Sequence, residues 1–187
     1  MVAVACEASD ETTGKHIRRI QHYSEALALE LGFPQKLAEQ IGISSILHDV
    51  GKIYIPEKIL KKPAKLTPEE WVIMKTHTTR GEQLLVNKLS FQTAREIARS
   101  HHENVDGTCY PDGLKGEGIP SAAQITKLAD IYDALITKRP YKEAWAEEAA
   151  YHEILSLSGK SLNSRIVNVF KKLFESGVLK SIREGYS

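Results

Sequence analysis

Apolar residues recur at intervals of three and four along nearly the whole chain, and nowhere do they alternate over a run long enough for a strand. That spacing lays an apolar stripe on one face of a 3.6-residue helix, so the 187-residue chain must bury helix against helix. Residues 14–31 carry Ile17, Ile20, Tyr23, Ala26, Leu27 and Leu31, and Gly32 and Pro34 stop that helix. Residues 35–49 repeat the pattern with Leu37, Ile41, Ile43, Ile46 and Leu47, ending at Gly51. Thr67-Pro68-Glu69-Glu70 is a helix start, with Thr67 as N-cap, Pro68 at N1 and Glu70 at N3. A helix of roughly ten residues follows, a break is expected near Gly81, and a further run reaches about Leu89. Helices are also expected over Phe91–His102 and over 120–137, 143–157 and 161–176. Between them, residues 103–119 hold Asp106-Gly107, Pro111-Asp112-Gly113, Gly116, Gly118 and Pro120, the one long loop. Long loops in compact domains are usually functional. The expected fold is all-α, a compact multi-helix bundle forming one domain over 1–187. Its motif-bearing core covers about 8–145, and its C-terminal packing helices cover about 145–187.

Composition narrows the function. A net charge of +1 gives no global field toward duplex nucleic acid or a membrane, so any anion must be held by a local cluster. Cys6 and Cys109 are far apart and in no CxxC arrangement, which argues against a disulfide framework or a thiolate zinc site and suits a reducing compartment. No apolar run approaches a bilayer-spanning length, and the six residues before Glu7 are too few for a signal peptide. The cytoplasm is the expected location. The first motif begins almost at the N-terminus, as in an output domain cut from a longer protein.

Five of the seven histidines, His16, His48, His77, His101 and His102, stand beside other ligand-type residues in helical contexts. His48-Asp49 ends an apolar helix, and a carboxylate there is costly to bury unless it is paired or bound to a metal. Neighbours on a helix point about 100° apart, so adjacent ligands at a helix end diverge and suit a pair of ions. The same holds for His101-His102. Asp130 is an acid in the apolar stretch Ile125 to Leu135, where cation ligation offsets the burial. His22 and His152 have no such company and read as ordinary hydrogen-bonded residues. Imidazole and carboxylate without thiolate point to a borderline or harder ion: iron, manganese, zinc, cobalt or nickel. Two such ions a few ångström apart clamp a phosphoryl group and activate a water for in-line attack, which makes phosphoester hydrolysis the expected chemistry.

The ordered blocks that carry these residues resemble the HD-GYP domain, a branch of the HD phosphohydrolase superfamily. They run from Asp10, Thr13-Gly14-Lys15-His16 and Arg19 through His48-Asp49-Val50-Gly51-Lys52-Ile53-Tyr54-Ile55-Pro56 to Leu66-Thr67, Glu70-Trp71, Met74-Lys75-Thr76-His77 and Gly81. They continue with His101-His102-Glu103-Asn104-Val105-Asp106-Gly107-Thr108-Cys109-Tyr110-Pro111-Asp112-Gly113-Leu114, then Ile119-Pro120, Ala129-Asp130-Ile131-Tyr132-Asp133-Ala134-Leu135 and Arg139-Pro140-Tyr141. The resemblance implies an all-helical phosphodiesterase that opens cyclic dinucleotides, chiefly cyclic di-GMP, in some members cyclic GMP-AMP. It implies one metal on His16, His48, Asp49 and Asp130, and a second on His77, His101 and His102, with Asp49 bridging. Two divalent ions are expected, iron or manganese before zinc, nickel or cobalt. Asp49 and Lys52 would carry catalysis, Lys52 touching the scissile phosphate, while Tyr110, Asp133, Arg139 and Lys142 would contact substrate. A diguanylate cyclase or an upstream sensory domain is the kind of partner implied.

The chain departs from the family pattern at several points. Cys109 stands where the signature loop has Gly, giving Cys-Tyr-Pro, and a positive φ there would strain a Cys by about 1 kcal/mol or more. Val105 replaces the usual Trp, and Gln124 a common Arg. Thr12 stands where some members place a Glu that helps hold a third ion, so two ions are expected. The altered loop also opens a second reading, a cyclic-dinucleotide sensor with little turnover.

Overall fold

The computed structural model describes residues 12–86, 89–138 and 143–186, and everything structural below refers to these. They form α-helices joined by turns and short 3-10 segments, with no β-strand among them. Helix α1 spans Thr12–Glu30, α2 Gln35–Ser45, and a 3-10 turn Val50–Tyr54. The short α3 covers Glu57–Leu60, α4 Pro68–Lys75 and α5 His77–Leu84. Helix α6 runs Gln92–Ser100, α7 Ser121–Ile136, α8 Glu147–Ser156, α9 Ser164–Glu175 and α10 Val178–Gly185.

Helix α7 is the central beam. Ala122, Ala123, Ile125, Leu128, Ala129, Tyr132 and Ile136 are all buried, as in a helix covered on several sides. It packs against α1, α6 and α8. Helix α1 buries Ile17, Ile20, Tyr23 and Leu27 and packs mainly on α2 and α7. Ile20, Tyr23 and Leu27 share one core with Ile125, Leu128, Ala129 and Tyr132 of α7, Ile97 of α6, Ile154 of α8, Phe170 and Leu173 of α9 and Leu179 of α10. Each fully buried aliphatic side chain contributes about 1.5–3 kcal/mol, so this core fixes α7 and α1, which carry Asp130 and His16.

Several local expectations meet a different outcome. The Thr67 cap forms as read: Thr67 Oγ1 accepts the Glu70 N–H at 3.3 Å, and Glu70 Oε2 accepts the Thr67 N–H at 2.8 Å. The break expected near Gly81 falls instead at Thr76, between α4 and α5. Gly81 is helical, and its missing Cβ serves a close approach to Gly51 of the 3-10 turn. Helix α2 stops at Ser45 and α6 at Ser100, so His48-Asp49 and His101-His102 lie in the turns just after helices rather than on them. Ile43, read as part of an apolar face, is 59% exposed. Helix α10 was not expected; Gly177, at φ 78°, turns the chain between α9 and α10.

The Gly51–Gly81 contact locks the Asp49 turn against α5. A Cβ on Gly51 would lie 1.9 Å from the His77 carbonyl oxygen and 2.5 Å from the Gly81 nitrogen, both backbone atoms. Gly51→Ala is therefore expected to cost about 3 kcal/mol, read as a lowered denaturation midpoint in urea. An unchanged midpoint would contradict this packing.

Candidate metal centre

Five segments deliver the candidate ligands, and three of them do so at a helix end. The last carbonyls of a helix have no further intrahelical partner, and three histidines turn their rings back onto them. His48 Nδ1 lies 2.9 Å from the Ser45 carbonyl oxygen, His77 Nδ1 2.7 Å from that of Met74, and His101 Nδ1 3.0 Å from that of Ile97. A carbonyl can only accept, so each Nδ1 carries the proton and each Nε2 presents a lone pair. His16 does the same with a side chain, its Nδ1 donating to Asp133 Oδ2 at 2.7 Å. Such partners fix ring orientation and tautomer in metal-binding histidines.

The lone pairs converge on two places. Asp49, His77, His101 and His102 bring ligand atoms within 4.8 Å of one another, and so do His16, His48 and Asp130. Asp49 lies where the two groups meet. Its Oδ2 is 3.3 Å from His48 Nε2, and its Oδ1 is 3.4 Å from His77 Nε2 and 3.7 Å from His101 Nε2. On the far side, Asp130 Oδ1 is 3.8 Å from His16 Nε2 and 4.0 Å from His48 Nε2. These gaps exceed a hydrogen bond and suit atoms that share an ion at about 2.1 Å each. Asp49 Oδ1, His77 Nε2 and His101 Nε2 are buried with no hydrogen-bond partner, a costly state that a divalent ion relieves. The donor set and these orphaned atoms fit a pair of divalent ions.

The protonation states also fit. Burial pushes the Asp49 carboxyl up, but favourable interactions led by the Lys52 ammonium outweigh burial and hold it well below the usual carboxylate range. Burial pulls the His77 imidazolium down to about 4 and depresses that of His102 further. At neutral pH these side chains are a carboxylate and neutral imidazoles, the forms that bind metals.

Of the other expected site residues, Lys52 reaches the site and contacts Asp49 Oδ2 through its ammonium. Tyr110 stands beside the second group, its ring stacked on His102 with centroids 4.8 Å apart and Lys75 Nζ 5.2 Å from its centre. Asp133 requires a correction: expected to touch substrate, it is completely buried. Both its oxygens are taken, Oδ2 by His16 and Arg19 and Oδ1 by Arg19 Nε at 2.6 Å. It orients His16 instead. Arg139 and Lys142 lie outside the described residues.

The strain considered for Cys109 does not arise, because no described non-glycine residue has a positive φ. Gly107, Gly113 and Gly116 take the left-handed positions of the loop, at 77°, 66° and 49°. Gln124 Nε2 pins the loop's end by donating to the Gly116 and Ile119 carbonyls at 3.2 and 2.7 Å. Two residues with roles here, Arg19 and Glu103, stand in the blocks of the resemblance but carry no role from sequence. A charged side chain within the apolar face of Ile17, Ile20 and Tyr23 was the signal for Arg19.

The HD domain family model matches residues 2–166, and the chain belongs to that family. The HD-GYP resemblance is in keeping with the relatives that the chain matches. A cyclic di-GMP phosphodiesterase of Thermotoga maritima is 44% identical over 169 residues, 89% of this chain and 46% of that protein. A 3'3'-cGAMP-specific phosphodiesterase of Vibrio cholerae is 41% identical over 170 residues, 90% of this chain and 33% of that protein. The chain thus spans between a third and a half of these relatives' lengths. In fold it matches an HDG"Y"P protein from Bdellovibrio bacteriovorus with a TM-score of 0.69 at 24% identity, covering 92% of this chain and 57% of that one.

Asp133 gives a pH test on the metal-free protein. Burial raises its pKa, but the hydrogen bonds from His16 and Arg19 outweigh burial and leave it below 3.8. A carboxyl with a depressed folded-state pKa stabilises above its unfolded pKa, and that stability is lost as pH falls through the folded value. Asp133→Asn strands the buried Arg19 charge and is expected to cost about 3–5 kcal/mol at neutral pH. The gap from the parent should narrow only below about pH 4. Urea melts at pH 7 and pH 3 check this; a gap independent of pH would contradict it.

Proposed function

We propose that this chain is a metal-dependent phosphodiesterase that hydrolyses a cyclic dinucleotide, cyclic di-GMP first, to linear dinucleotide or GMP. The observation that carries the reading is the buried, ionised Asp49 carboxylate set between two convergent histidine groups. His16, His48 and Asp130 would hold one ion, His77, His101 and His102 the other, with Asp49 serving both. Iron or manganese is the proposed metal, in keeping with imidazole and carboxylate donors. When bound, such ions supply Lewis acidity toward a phosphoryl oxygen and toward the attacking water.

The chain's own residues do the rest. Lys52 has its ammonium at Asp49 and faces the place where phosphate charge develops, so it stabilises that charge. Tyr110, packed on His102, offers a face for a base or sugar at the mouth of the site. Arg139 and Lys142 remain the proposed donors to the second phosphate or a guanine edge. Residues 1–187 act as one unit in this reading, supported by a core shared by α1, α2 and α6 to α10. A reducing cytoplasm suits the free Cys109, and a cyclase or sensory domain is the proposed partner.

Cyclic GMP-AMP is the second reading of substrate. It is supported by near-equal identity to relatives named for each compound, 41% and 44%. Turnover of both dinucleotides should be compared side by side, without air and with added iron or manganese. Binding with no product at any metal would overturn hydrolysis in favour of sensing. Asp49→Ala is expected to abolish both metal retention and turnover. Lys52→Met should keep the ions and lose about 10²–10³ in kcat. Turnover by metal-free Asp49→Ala protein would sink the scheme.

A further inference from the structure

Behind the second histidine group lies a buried charged strut that the proposed chemistry does not use. Lys127 sits on α7 three residues before Asp130 and is 8% exposed. Its ammonium donates to the carbonyl oxygens of His102 at 3.1 Å and Glu103 at 2.6 Å, and to Asn104 Oδ1. Glu103, 1% exposed, accepts backbone N–H bonds from the returning limb of the same loop. These come from Asp112 at 2.7 Å and Gly113 at 3.1 Å to Oε1, and from Leu114 at 3.2 Å to Oε2. Tyr110 lies between the two anchored limbs with its ring on His102.

We infer that Lys127 is a positioning residue: it clamps the His102–Asn104 backbone so that His102 and the Tyr110 loop are held ready for the second ion. The inference rests on the dinuclear reading above. Burying an ammonium among neutral oxygens is expensive, and a methionine of similar volume would fill the space without that cost. What the charge provides is three donors toward three oxygens that leave one turn in a common direction. Those oxygens belong to His102 and the two residues after it, so the clamp acts on a candidate ligand's own backbone. The same helix carries Asp130 of the first group. One rigid beam thereby sets both halves of the centre, one through a ligand and the other through a clamp.

Cobalt(II) is the probe, titrated without air into the metal-free chain and followed by visible absorption and calorimetry. Wild type should take two ions. Lys127→Met should keep one at unchanged affinity and weaken the other about tenfold or more, matching His102→Ala in kind and not Asp130→Ala. Lys127→Arg should recover most of the loss, and Asn104→Ala should show a smaller loss at the same ion. Two ions held by Lys127→Met as tightly as by wild type would overturn the clamp, as would equal weakening of both. If Lys127→Met does not fold, the other two variants decide: unchanged affinity in Asn104→Ala overturns it. Wild type taking fewer than two ions is a separate result, and it overturns the dinuclear reading together with this inference.

Discussion

The centre depends on keeping one carboxylate ionised where water scarcely reaches. Asp49 sits among His48, His77 and His101, and its Oδ1 has no hydrogen-bond partner. An isolated carboxylate in that position would take up a proton. It stays charged because interactions led by the Lys52 ammonium outweigh burial. The lone pairs of the surrounding imidazoles point the same way, so attractive charge is lacking at the very place where the ligand atoms crowd. A pair of divalent ions would correct that imbalance, and the rest of the fold can be understood as holding the place for it.

Helix ends do most of the holding. Turns after α2, α4 and α6 each place a histidine whose Nδ1 is tied to a carbonyl of the preceding turn. The helix thus satisfies a terminal acceptor and fixes a ligand's tautomer with the same bond. The two remaining anchors run through α7. Asp133 aligns His16 while neutralising Arg19, and Asp130 lies one turn earlier on the same helix. The Gly51–Gly81 approach presses the Asp49 turn onto α5, which begins with His77. Packing energy from the apolar core is in this way spent on ligand geometry.

Much of this was legible in the sequence, for reasons that differ by residue. The helices show through because their apolar period is local, and the Thr67 cap because its chemistry spans four residues. The candidate ligands stand out in sequence because histidine and aspartate recur there in pairs within apolar surroundings. The orienting carbonyls do not, since a backbone oxygen leaves no mark on the sequence. Asp133 reads as a substrate contact only through the family resemblance; its partner Arg19 is 114 residues away, and only the fold brings them together. Gly81 was read as a break because a glycine that permits a close approach looks, in sequence, like one that ends a helix. Glu103 takes no role from sequence because its partners are three backbone N–H groups.

The central claim is that two ions meet at Asp49. Anomalous X-ray diffraction from crystals grown without air in the presence of manganese tests it most directly. The account predicts two anomalous peaks sharing Asp49, one bounded by His16, His48 and Asp130, the other by His77, His101 and His102. A single peak, or a pair that leaves Asp49 uncoordinated, would contradict it.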